Sequence, residues 1–334
     1  MRIGVISNLR AGGSGTRAAK VLEYLKRYPD ILCATGDPTS ATRELAEAGV
    51  EILMINGGDG TLQRALTEVL CATSPFVKTG DRNELPLIVP LRTGRTCMTA
   101  HDIGSRRDPR LSIDRLVARV RSGRILDDLV ERATIHMVLE PDGVDCYGTF
   151  FGVGIIYRGT LITHRVFPSG KAQGVFGSTL VTASLLMRAF TGRTPNADAA
   201  SGVTEEHPLT IDTMTVDLDG ERLEYKEFQL LLASGLHSLL SGVRPFWGKE
   251  PGGLHFTALR PGCIRYPQEI ARVLRGRRPK RSGLPDSLYE SRNVERVDLT
   301  LDCGISLDGE MFDPRPGRRA TLTADHRIRF LSTR

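Results

Sequence analysis

An aspartate lies within a run of glycines in this chain, in the segment Asn56-Gly57-Gly58-Asp59-Gly60-Thr61. The largely apolar segment Val50–Ile55 precedes it, and apolar residues at the spacing of one helix face follow it, namely Leu62, Ala65, Leu66 and Val69. A glycine turn between a strand and a helix lets a phosphate approach backbone N–H groups, and the helix N-terminus adds about half a positive charge. An aspartate there would repel a phosphate unless a cation or a proton transfer explains it. The segment therefore predicts a nucleotide site with a metal.

A tight turn is the alternative interpretation of Gly57–Thr61, because Asn, Asp and Gly are the residues that turns prefer. The strand signal before the segment, the amphipathic helix signal after it and Thr61 at the helix start favour the phosphate site.

A second acidic segment, Leu307-Asp308-Gly309-Glu310, lies near the C-terminus at the end of a strand-like run. Alone, Asp-Gly-Glu is a common turn, and it gains meaning by pairing with the first segment. Phosphoryl transfer to an alcohol needs one carboxylate as a general base and further carboxylate oxygens to hold Mg²⁺ against the nucleotide phosphates. Two distant acidic loops that meet in a cleft between domains would supply both.

Strand and helix signals alternate from Ile3 to Leu126, which predicts βαβ units, a parallel sheet and right-handed crossovers. The predicted strands are Ile3–Ser7, Asp30–Ala34, Val50–Ile55 and Leu85–Leu91, and helices follow them around Ala18–Leu25, Thr39–Ala48, Leu62–Val69 and Ile113–Val120. Ligands of such sheets bind beyond the carboxyl ends of the strands. Asn8, Thr35, Gly57–Thr61 and Gly94 all fall there.

After Asp128 the apolar residues alternate with a period of two, which predicts an antiparallel β-sandwich domain. The predicted strands are Ile135–Leu139, Thr149–Ile156, Met214–Leu218, Leu223–Ala233, Gly253–Leu259, Val294–Leu301 and Ala320–Leu331, with a hairpin turn at Asp219-Gly220. One helix is predicted at Phe176–Phe190. The segments Thr191–His207 and Arg272–Leu284 are predicted to be mobile loops.

The composition is that of an ordinary globular protein, with 40% hydrophobic and 25% charged residues. Its 334 residues exceed the roughly 250 at which a single core usually divides, so we expect two domains. No apolar run approaches the roughly 18 residues of a membrane helix, and the N-terminus lacks the apolar core of a signal peptide. The six cysteines are scattered without a Cys-x-x-Cys pair, so we expect reduced thiols, no zinc site and a cytoplasmic location.

The net charge is +6, and much of the excess lies in one run without an acidic residue, made of Arg272, Arg275, Arg277, Arg278, Lys280 and Arg281. This run is either a solvated loop or a contact with the phosphate headgroups of an anionic membrane surface. Nucleic acid is not expected as a partner, because no aromatic residues lie between the cations to stack on bases.

With both acidic segments in place, the chain resembles the catalytic family of diacylglycerol kinases and sphingosine kinases, and more distantly the NAD kinases. Nearly the whole chain takes part in the resemblance. Gly57–Thr61 and Asp308–Glu310 match the family motifs completely, Ser7-Asn8 stands at the family's Asn-Pro, and Thr35 fits its nucleotide-contacting threonine. Leu9 takes the place of the proline.

The resemblance implies a two-domain architecture, with a Rossmann-like nucleotide-binding α/β domain over residues 1–128 and a β-sandwich lipid-substrate domain over 129–312. Residues 313–334 are expected to return to the first domain. The implied cofactors are ATP and Mg²⁺, and the implied activity transfers the γ-phosphoryl group to a hydroxyl of diacylglycerol, ceramide or a similar lipid. Such an enzyme would be cytoplasmic and peripheral at the membrane.

The resemblance also assigns roles to residues. Glu310 would be the general base that takes the lipid hydroxyl proton, and Asp59 is a second candidate for the catalytic carboxylate. Asp59 and Asp308 would hold the metal, and Asp308 would belong to the catalytic group. The nucleotide would be bound by Asn8, Thr35, Gly57, Gly58, Asp59, Gly60, Thr61, Gly94 and Arg95.

Two departures from the family pattern bear on activity. The family's Gly-Thr-x-Asn-x-x-Ala reads here Gly94-Arg95-Thr96-Cys97-Met98-Thr99-Ala100, so that Arg95 replaces Thr and Cys97 replaces Asn. Arg95 could bind a phosphate through its guanidinium or obstruct the adenine side. The family's Asp-Gly-x-Leu, whose Asp organises Mg²⁺, appears as Gly252-Gly253-Leu254 without the carboxylate. The alternatives are therefore an NAD kinase-like enzyme acting on a soluble substrate and a nucleotide- or lipid-binding regulator with impaired catalysis.

Overall fold

The computed structural model describes residues 1–9, 15–77, 84–166, 210–263, 266–280 and 288–334. The predicted helix Phe176–Phe190 and the predicted loop Thr191–His207 lie outside these residues. None of the helices within the described ranges is both long and apolar enough to cross a membrane.

Parallel strands alternate with helices in the N-terminal part, as predicted. The elements are β1 (Ile3–Ser7), α1 (Gly15–Leu25), β2 (Leu32–Thr35), α2 (Pro38–Glu47), β3 (Ile52–Asn56), α3 (Asp59–Leu70), β4 (Leu87–Pro90), α4 (Met98–Ile103) and α5 (Pro109–Arg121). β1 pairs in parallel with β2 and β3, and β3 pairs in parallel with β4. Helices α2 and α5 each begin with proline after an aspartate N-cap, Asp37 and Asp108 respectively.

The parallel strands are covered on both faces, which is why they read as continuous apolar runs. Helices α2 and α3 cover one face, where Leu66 packs into a cluster with Ile55. Helices α1 and α5 cover the other face, where Val21 and Ile113 pack into a cluster with Met54. This packing brings the carboxyl ends of β1, β3 and β4 to one edge of the domain.

The C-terminal part is mostly antiparallel. Its strands are β5 (Leu129–Glu140), β6 (Val144–Gly148), β7 (Phe150–Gly154), β8 (Asp212–Leu218), β9 (Glu221–Arg222), β10 (Glu227–Phe228), β11 (Leu230–Ser234), β12 (Leu254–Leu259), β13 (Tyr289–Val294), β14 (Arg296–Leu301), β15 (Ile305–Leu307), β16 (Glu310–Phe312) and β17 (Arg318–Leu331). Two helices join them, α6 (Ile155–Val166) and α7 (Pro267–Val273).

Two sheets organise these strands. One mixed sheet runs in the order β10-β8-β14-β17-β4-β3-β1-β2, with β5 added against β17, and an antiparallel sheet runs β13-β12-β11-β7-β15-β16. Side chains of both sheets, among them Phe151, Phe256 and Val297, form a core with no exposed surface. β17 joins the halves, because Phe330 pairs in parallel with Ile88 of β4 while β17 pairs antiparallel with β5 and β14. The predicted α/β class, with parallel N-terminal strands and an antiparallel C-terminal sheet, is confirmed.

Several predicted strands divide where the chain changes sheets. The predicted strand Leu223–Ala233 is broken before Leu230, since β10 pairs with β8 of the mixed sheet and β11 pairs with β7 and β12. The predicted strand Val294–Leu301 likewise divides at Glu295, between β13 and β14. The alternation of apolar residues continues across both changes, so it could not reveal them.

Two further predictions were wrong at their ends. The strand predicted over Thr149–Ile156 stops at Gly154, which has φ +70°, and α6 begins at Ile155. Arg272, predicted to begin a mobile loop, lies in α7, where it pairs with Glu269 at 3.5 Å between its Nε and the carboxylate.

Candidate active site

The glycine turn joins β3 to α3 at the carboxyl edge of the parallel strands. Asn56, the last residue of β3, is fully buried, and its Nδ2 donates to Oγ of Ser7 at 2.9 Å, which ties β3 to β1. Asn8, which follows β1, donates from its Nδ2 to Oγ1 of Thr61 at 3.2 Å. Asn8 and the start of α3 are therefore held together, as a shared phosphate site requires.

The loop after β4 lies directly against this turn. Oγ1 of Thr93 donates to the carbonyl oxygen of Gly57 at 3.2 Å. A Cβ added to Gly94 would lie 3.0 Å from the backbone nitrogen of Gly58 and 3.3 Å from the carbonyl oxygen of Gly57. The close approach of the two backbones therefore requires glycine at position 94, whereas a Cβ on Gly58 would meet the Cα of Gly94 at 3.6 Å, an ordinary contact.

Asp59 is held by the first turn of α4. Its Oδ2 accepts the backbone N–H of Met98 at 3.1 Å, and its Oδ1 accepts that of Thr99 at 3.3 Å. Burial raises the pKa of the Asp59 carboxyl because the charged form loses solvent, and the N–H donors oppose this rise. The aspartate that the sequence placed in a phosphate loop therefore lies at the junction of two loops, with a fixed orientation.

Asp308 occupies the turn between β15 and β16. Asp308 and Gly309 have φ of +50° and +89°, which is the pattern of a type I′ hairpin turn, for which Asp-Gly is a favoured pair. The buried carboxylate accepts the backbone N–H of Thr149 at 2.7 Å and of Phe150 at 3.0 Å, and the hydroxyl of Thr149 at 2.8 Å. Burial and then the charge of Asp59 raise the pKa of Asp308 to about 7.

A chain of hydrogen bonds connects the two acidic segments. The hydroxyl of Thr149 donates its hydrogen to Asp308. Its oxygen therefore accepts the hydrogen bond from the hydroxyl of Thr99, and the two hydroxyl oxygens lie 3.0 Å apart. Thr99 in turn donates its backbone N–H to Asp59. Residues 59 and 308, almost 250 positions apart in the sequence, thus belong to one buried polar network at the junction of the two sheets.

Glu310 lies two residues after Asp308 and beside the first turn of α3. It is the first residue of β16, and its Oε1 lies 3.4 Å from the position that a Cβ on Gly60 would take. The same oxygen lies 3.4 Å from Nη2 of Arg64 on α3, and Nη1 of Arg64 lies 3.7 Å from Oδ1 of Asp37. The Glu310 side chain is 42% exposed, so its carboxylate can reach a bound molecule, which the buried Asp308 cannot do as readily.

The carboxylates of this site bear on whether it could hold a divalent cation. No group of three His, Cys, Asp or Glu residues that could hold a metal occurs among the described residues. Mg²⁺ at nucleotide sites is usually bound by one or two carboxylates together with phosphates and water. Asp59 and Asp308, two carboxylates of one hydrogen-bonded network in which the charge of Asp59 adds to burial in raising the pKa of Asp308, fit that arrangement and not a cage made of protein ligands alone.

The departures from the family pattern have local explanations. Cys97 is buried with φ +49°, a left-handed conformation in which Asn is enriched, and burial raises the pKa of its thiol to about 12. A side chain at Gly252 would lie 2.7 Å from the backbone carbonyl carbon of Asn293, so no carboxylate fits there. Arg95 is half-buried and lines a groove between α1 and the loop after β4.

The remaining predicted residue, Thr35, ends β2 and is exposed opposite Ser7 in the register of β1. Sequence reasoning missed Arg64, Thr99 and Thr149. Arg64 lies four residues after Gly60, one helical turn from the glycine segment, and this spacing could have identified it. Thr149 stands between two strands with no signal that separates it from other threonines.

No protein-family model matches the chain, and no curated protein matches its sequence. Its fold matches the solved structure of a "putative diacylglycerol kinase" from Bacillus anthracis str. Sterne, with a TM-score of 0.64 and 14% identity over 99% of this chain and 96% of that one. A structure of a diacylglycerol kinase from the same organism matches with a TM-score of 0.61 and 15% identity over 99% and 96% of the two chains.

A weaker likeness is to an NAD kinase from Archaeoglobus fulgidus in complex with ATP, with a TM-score of 0.45 and 12% identity over 100% of this chain and 94% of that one. The two Bacillus anthracis structures show that the chain has a diacylglycerol kinase-like fold, as the motifs indicated. Identities this low establish the fold and not the activity.

Proposed function

We propose that the protein is a lipid kinase that transfers the γ-phosphoryl group of ATP to a hydroxyl of diacylglycerol, ceramide or a similar lipid. The observation that carries the proposal is the hydrogen-bonded network that joins Asp59 to Asp308, with Glu310 beside Gly60 of the same glycine turn. A nucleotide site needs that turn, and an alcohol acceptor needs a carboxylate at its rim. The diacylglycerol kinase-like fold supports the same conclusion.

In this proposal Glu310 is the general base. Its carboxylate is exposed, lies next to the first turn of α3 and contacts Arg64, which fixes its position without burying it. The carboxylate takes the proton of the lipid hydroxyl as the hydroxyl oxygen attacks the γ-phosphorus. Asn8, Thr35, the turn Gly57–Thr61 and the loop at Gly94 and Arg95 bind the nucleotide.

Asp59 and Asp308 are the proposed ligands of Mg²⁺, which when bound would neutralise charge on the nucleotide phosphates. The hydrogen bonds from Met98 and Thr99 orient Asp59 for this role, and those from Thr149 and Phe150 orient Asp308.

An apolar cluster next to the cleft supports a lipid acceptor. Phe150, whose N–H holds Asp308, is half-buried and packs in a group with the buried residues Met98, Leu232, Leu236 and Leu239. Ile156 and Phe246 also pack against this group and are partly exposed. The side chains between the sheets are buried in one core cluster, so the partly exposed apolar side chains near Asp308 are the better place for acyl chains.

Four exposed cations follow α7 and support peripheral binding to an anionic membrane, and we refer to Arg275, Arg277, Arg278 and Lys280 as the α7 cation cluster. Arg272 is not part of it, because it pairs with Glu269 and donates to the carbonyl oxygen of residue 278. Arg281 lies outside the described residues.

A second candidate function is a nucleotide- or lipid-binding regulator with impaired catalysis. The backbone contacts of Gly252 favour it, because they leave no room for the carboxylate that the family motif places there.

The test is to incubate purified protein with Mg²⁺ and ATP labelled at the γ-phosphate, in separate reactions with diacylglycerol or ceramide in mixed micelles and with NAD as a soluble acceptor. The proposal expects label in the lipid phase. Label on NAD would instead support a kinase of a soluble substrate, and no transfer to any acceptor would support the regulator.

A further inference from the structure

A large basic groove lies on the outer side of α1, away from Asp308 and Glu310. It has a volume of about 1480 Å³ and is bounded by α1, by the loop Arg92–Met98 and by the start of α5. Drug-sized ligands occupy sites of roughly 300–1,000 Å³, so a single phosphate ion would fill little of it.

The charge of the groove is unbalanced. Eight Arg or Lys residues and two acidic residues line it. Glu23 and Asp108, the two acidic residues, are each paired with a cation of the groove, at 2.6 Å to Lys26 and 2.7 Å to Arg110. The cations beyond these two pairs are Arg17, Lys20, Arg27, Arg92, Arg95 and Arg107.

Four of these cations, Arg17, Lys20, Arg92 and Arg107, form no ion pair within the ranges that the structure describes. Eight cations and two acidic residues leave an excess of six positive charges in the lining, which equals the net charge of the whole chain, +6. Charges of one sign in a concave surface raise the local concentration of counter-ions of the opposite sign. The positive field also acts on neighbouring groups. Burial lowers the pKa of His101, and the charge of Arg92 lowers it further.

The groove extends well beyond the glycine turn. Its lining follows α1 from Arg17 to the end of the helix at Leu25, which at a rise of about 1.5 Å per residue is a length of about 12 Å, and continues to Lys26 and Arg27. Its inner wall is the loop that carries Gly94 and Met98, whose other side contacts Gly58 and holds Asp59. The groove therefore adjoins the glycine turn, whereas Asp59, Asp308 and Glu310 do not line it.

We propose that this groove is a binding site for an anion with two or more phosphoryl groups or for clustered phosphate headgroups, and that it adjoins the nucleotide site of the proposed function, with which it shares the loop of Gly94 and Arg95. The size of the groove, its four cations without an ion pair among the described residues, and their distribution over α1, the loop after β4 and the segment before α5 all match a ligand whose negative charges are spread over several ångströms. Arginine and lysine are the side chains that bind phosphate oxygens most strongly. Soluble oligophosphates and anionic lipid headgroups share this chemistry.

The experiment measures binding directly and needs no catalytic activity, so it can fail or succeed independently of the proposed kinase function. Inorganic tripolyphosphate is titrated into the protein by calorimetry at low ionic strength, and sedimentation with vesicles containing phosphatidic acid is measured in parallel. The groove variant is the double substitution Lys20→Gln with Arg107→Gln, two exposed cations outside the catalytic cleft. The matched control is Arg121→Gln with Lys226→Gln, two exposed cations that do not line the groove.

Each contact of unit charges at about 4 Å in water changes affinity about fivefold, so the groove variant with two such contacts removed should bind about 25-fold more weakly at low salt. The control should stay within about twofold of the wild-type protein, and saturating Mg²⁺ and ATP should not displace the bound ligand. Loss of tripolyphosphate binding identifies a soluble ligand, and loss of vesicle binding alone identifies a lipid headgroup.

Three results would overturn the proposal. The first is equal loss of affinity in the groove variant and the control. The second is complete displacement by Mg²⁺ and ATP, which would make the groove part of the nucleotide site. The third is vesicle and tripolyphosphate binding that depends only on the α7 cation cluster. Thermal unfolding of each variant checks that the substitutions leave the fold intact.

Discussion

Gly94 tests the contact between the two loops that form the candidate nucleotide site. In the variant Gly94→Ala, the added Cβ would lie 3.0 Å from the backbone nitrogen of Gly58 and 3.3 Å from the carbonyl oxygen of Gly57, and nearer still to the Cα of Gly58. These are backbone atoms and cannot rotate away as a side chain could. One of the two loops must therefore move.

The magnitude follows from what moves. If the loops stay together under strain, overpacking costs about 1–3 kcal/mol, which lowers the melting temperature by about 2–12 °C for a protein of this size. If the glycine turn moves instead, the same free energy is lost from nucleotide binding, which weakens the affinity about 5- to 150-fold. The free energy lost from folding stability and the free energy lost from nucleotide binding should therefore add up to about 1–3 kcal/mol.

The assay combines thermal unfolding with calorimetric titration of ATP in the presence of Mg²⁺. Gly159→Ala is the matched control, because a Cβ on Gly159 in α6 meets nothing within 4 Å. The control should keep wild-type nucleotide affinity and gain up to about 1 kcal/mol of stability from helix propensity. A Gly94→Ala protein with wild-type melting temperature and wild-type affinity would refute the close approach of the two loops.

Three further predictions concern charged groups. Asp59→Asn should abolish phosphoryl transfer and remove the dependence of nucleotide affinity on Mg²⁺; an unchanged Mg²⁺ effect in calorimetry would assign Asp59 to loop structure alone. If Arg95 binds phosphate, Arg95→Thr should raise the Michaelis constant for ATP, because a charged hydrogen bond of about 1.5–3 kcal/mol is lost. Higher activity of this variant would mean that Arg95 obstructs the site, and unchanged kinetic constants would exclude both roles. Changing all four residues of the α7 cation cluster to Gln should weaken binding to anionic vesicles, measured by sedimentation, by roughly 4 kcal/mol at low ionic strength. Binding that changes neither with salt nor with the substitutions would leave the cluster as a solvated surface.

The parallel half of the fold could be predicted from the sequence because its signals are local. Each buried strand is a short apolar run, and each helix that follows shows a spacing of three and four residues between apolar positions. The carboxyl-edge rule then places Asn8, Gly57–Thr61 and Gly94 at one edge, where the structure has them. The predicted fold class is confirmed for this reason.

The antiparallel half was predicted less accurately because pairing partners are not local. A strand that leaves one sheet at Phe228 and enters the other at Leu230 keeps the same alternation of apolar residues. The burial of Asp308 against Thr149 also depends on two strands brought together from distant parts of the chain. The chemical need for several carboxylates and the resemblance to a known motif indicated that Asp308 and Glu310 belong with Asp59, but no local pattern did.

The domain boundaries at residues 128 and 312, the roles assigned to the site residues and the identity of the acceptor remain predictions. The structure bears on the first through β17, which pairs with strands of both halves and so makes the mixed sheet continuous across the boundary at residue 128. It bears on the second through the hydrogen bonds that orient Asp59 and Asp308 and through the exposure of Glu310.

The central claim, that this cleft performs phosphoryl transfer with Glu310 as the base, is tested most directly by the variant Glu310→Gln. Turnover with the preferred lipid and the affinity for ATP are measured on the same preparations, with the exposed Glu224→Gln as a matched control. Our account predicts that turnover falls by about 10²–10⁴-fold in Glu310→Gln while nucleotide affinity stays within about twofold of wild type, and that the control changes neither. Near-normal turnover in Glu310→Gln would contradict the account.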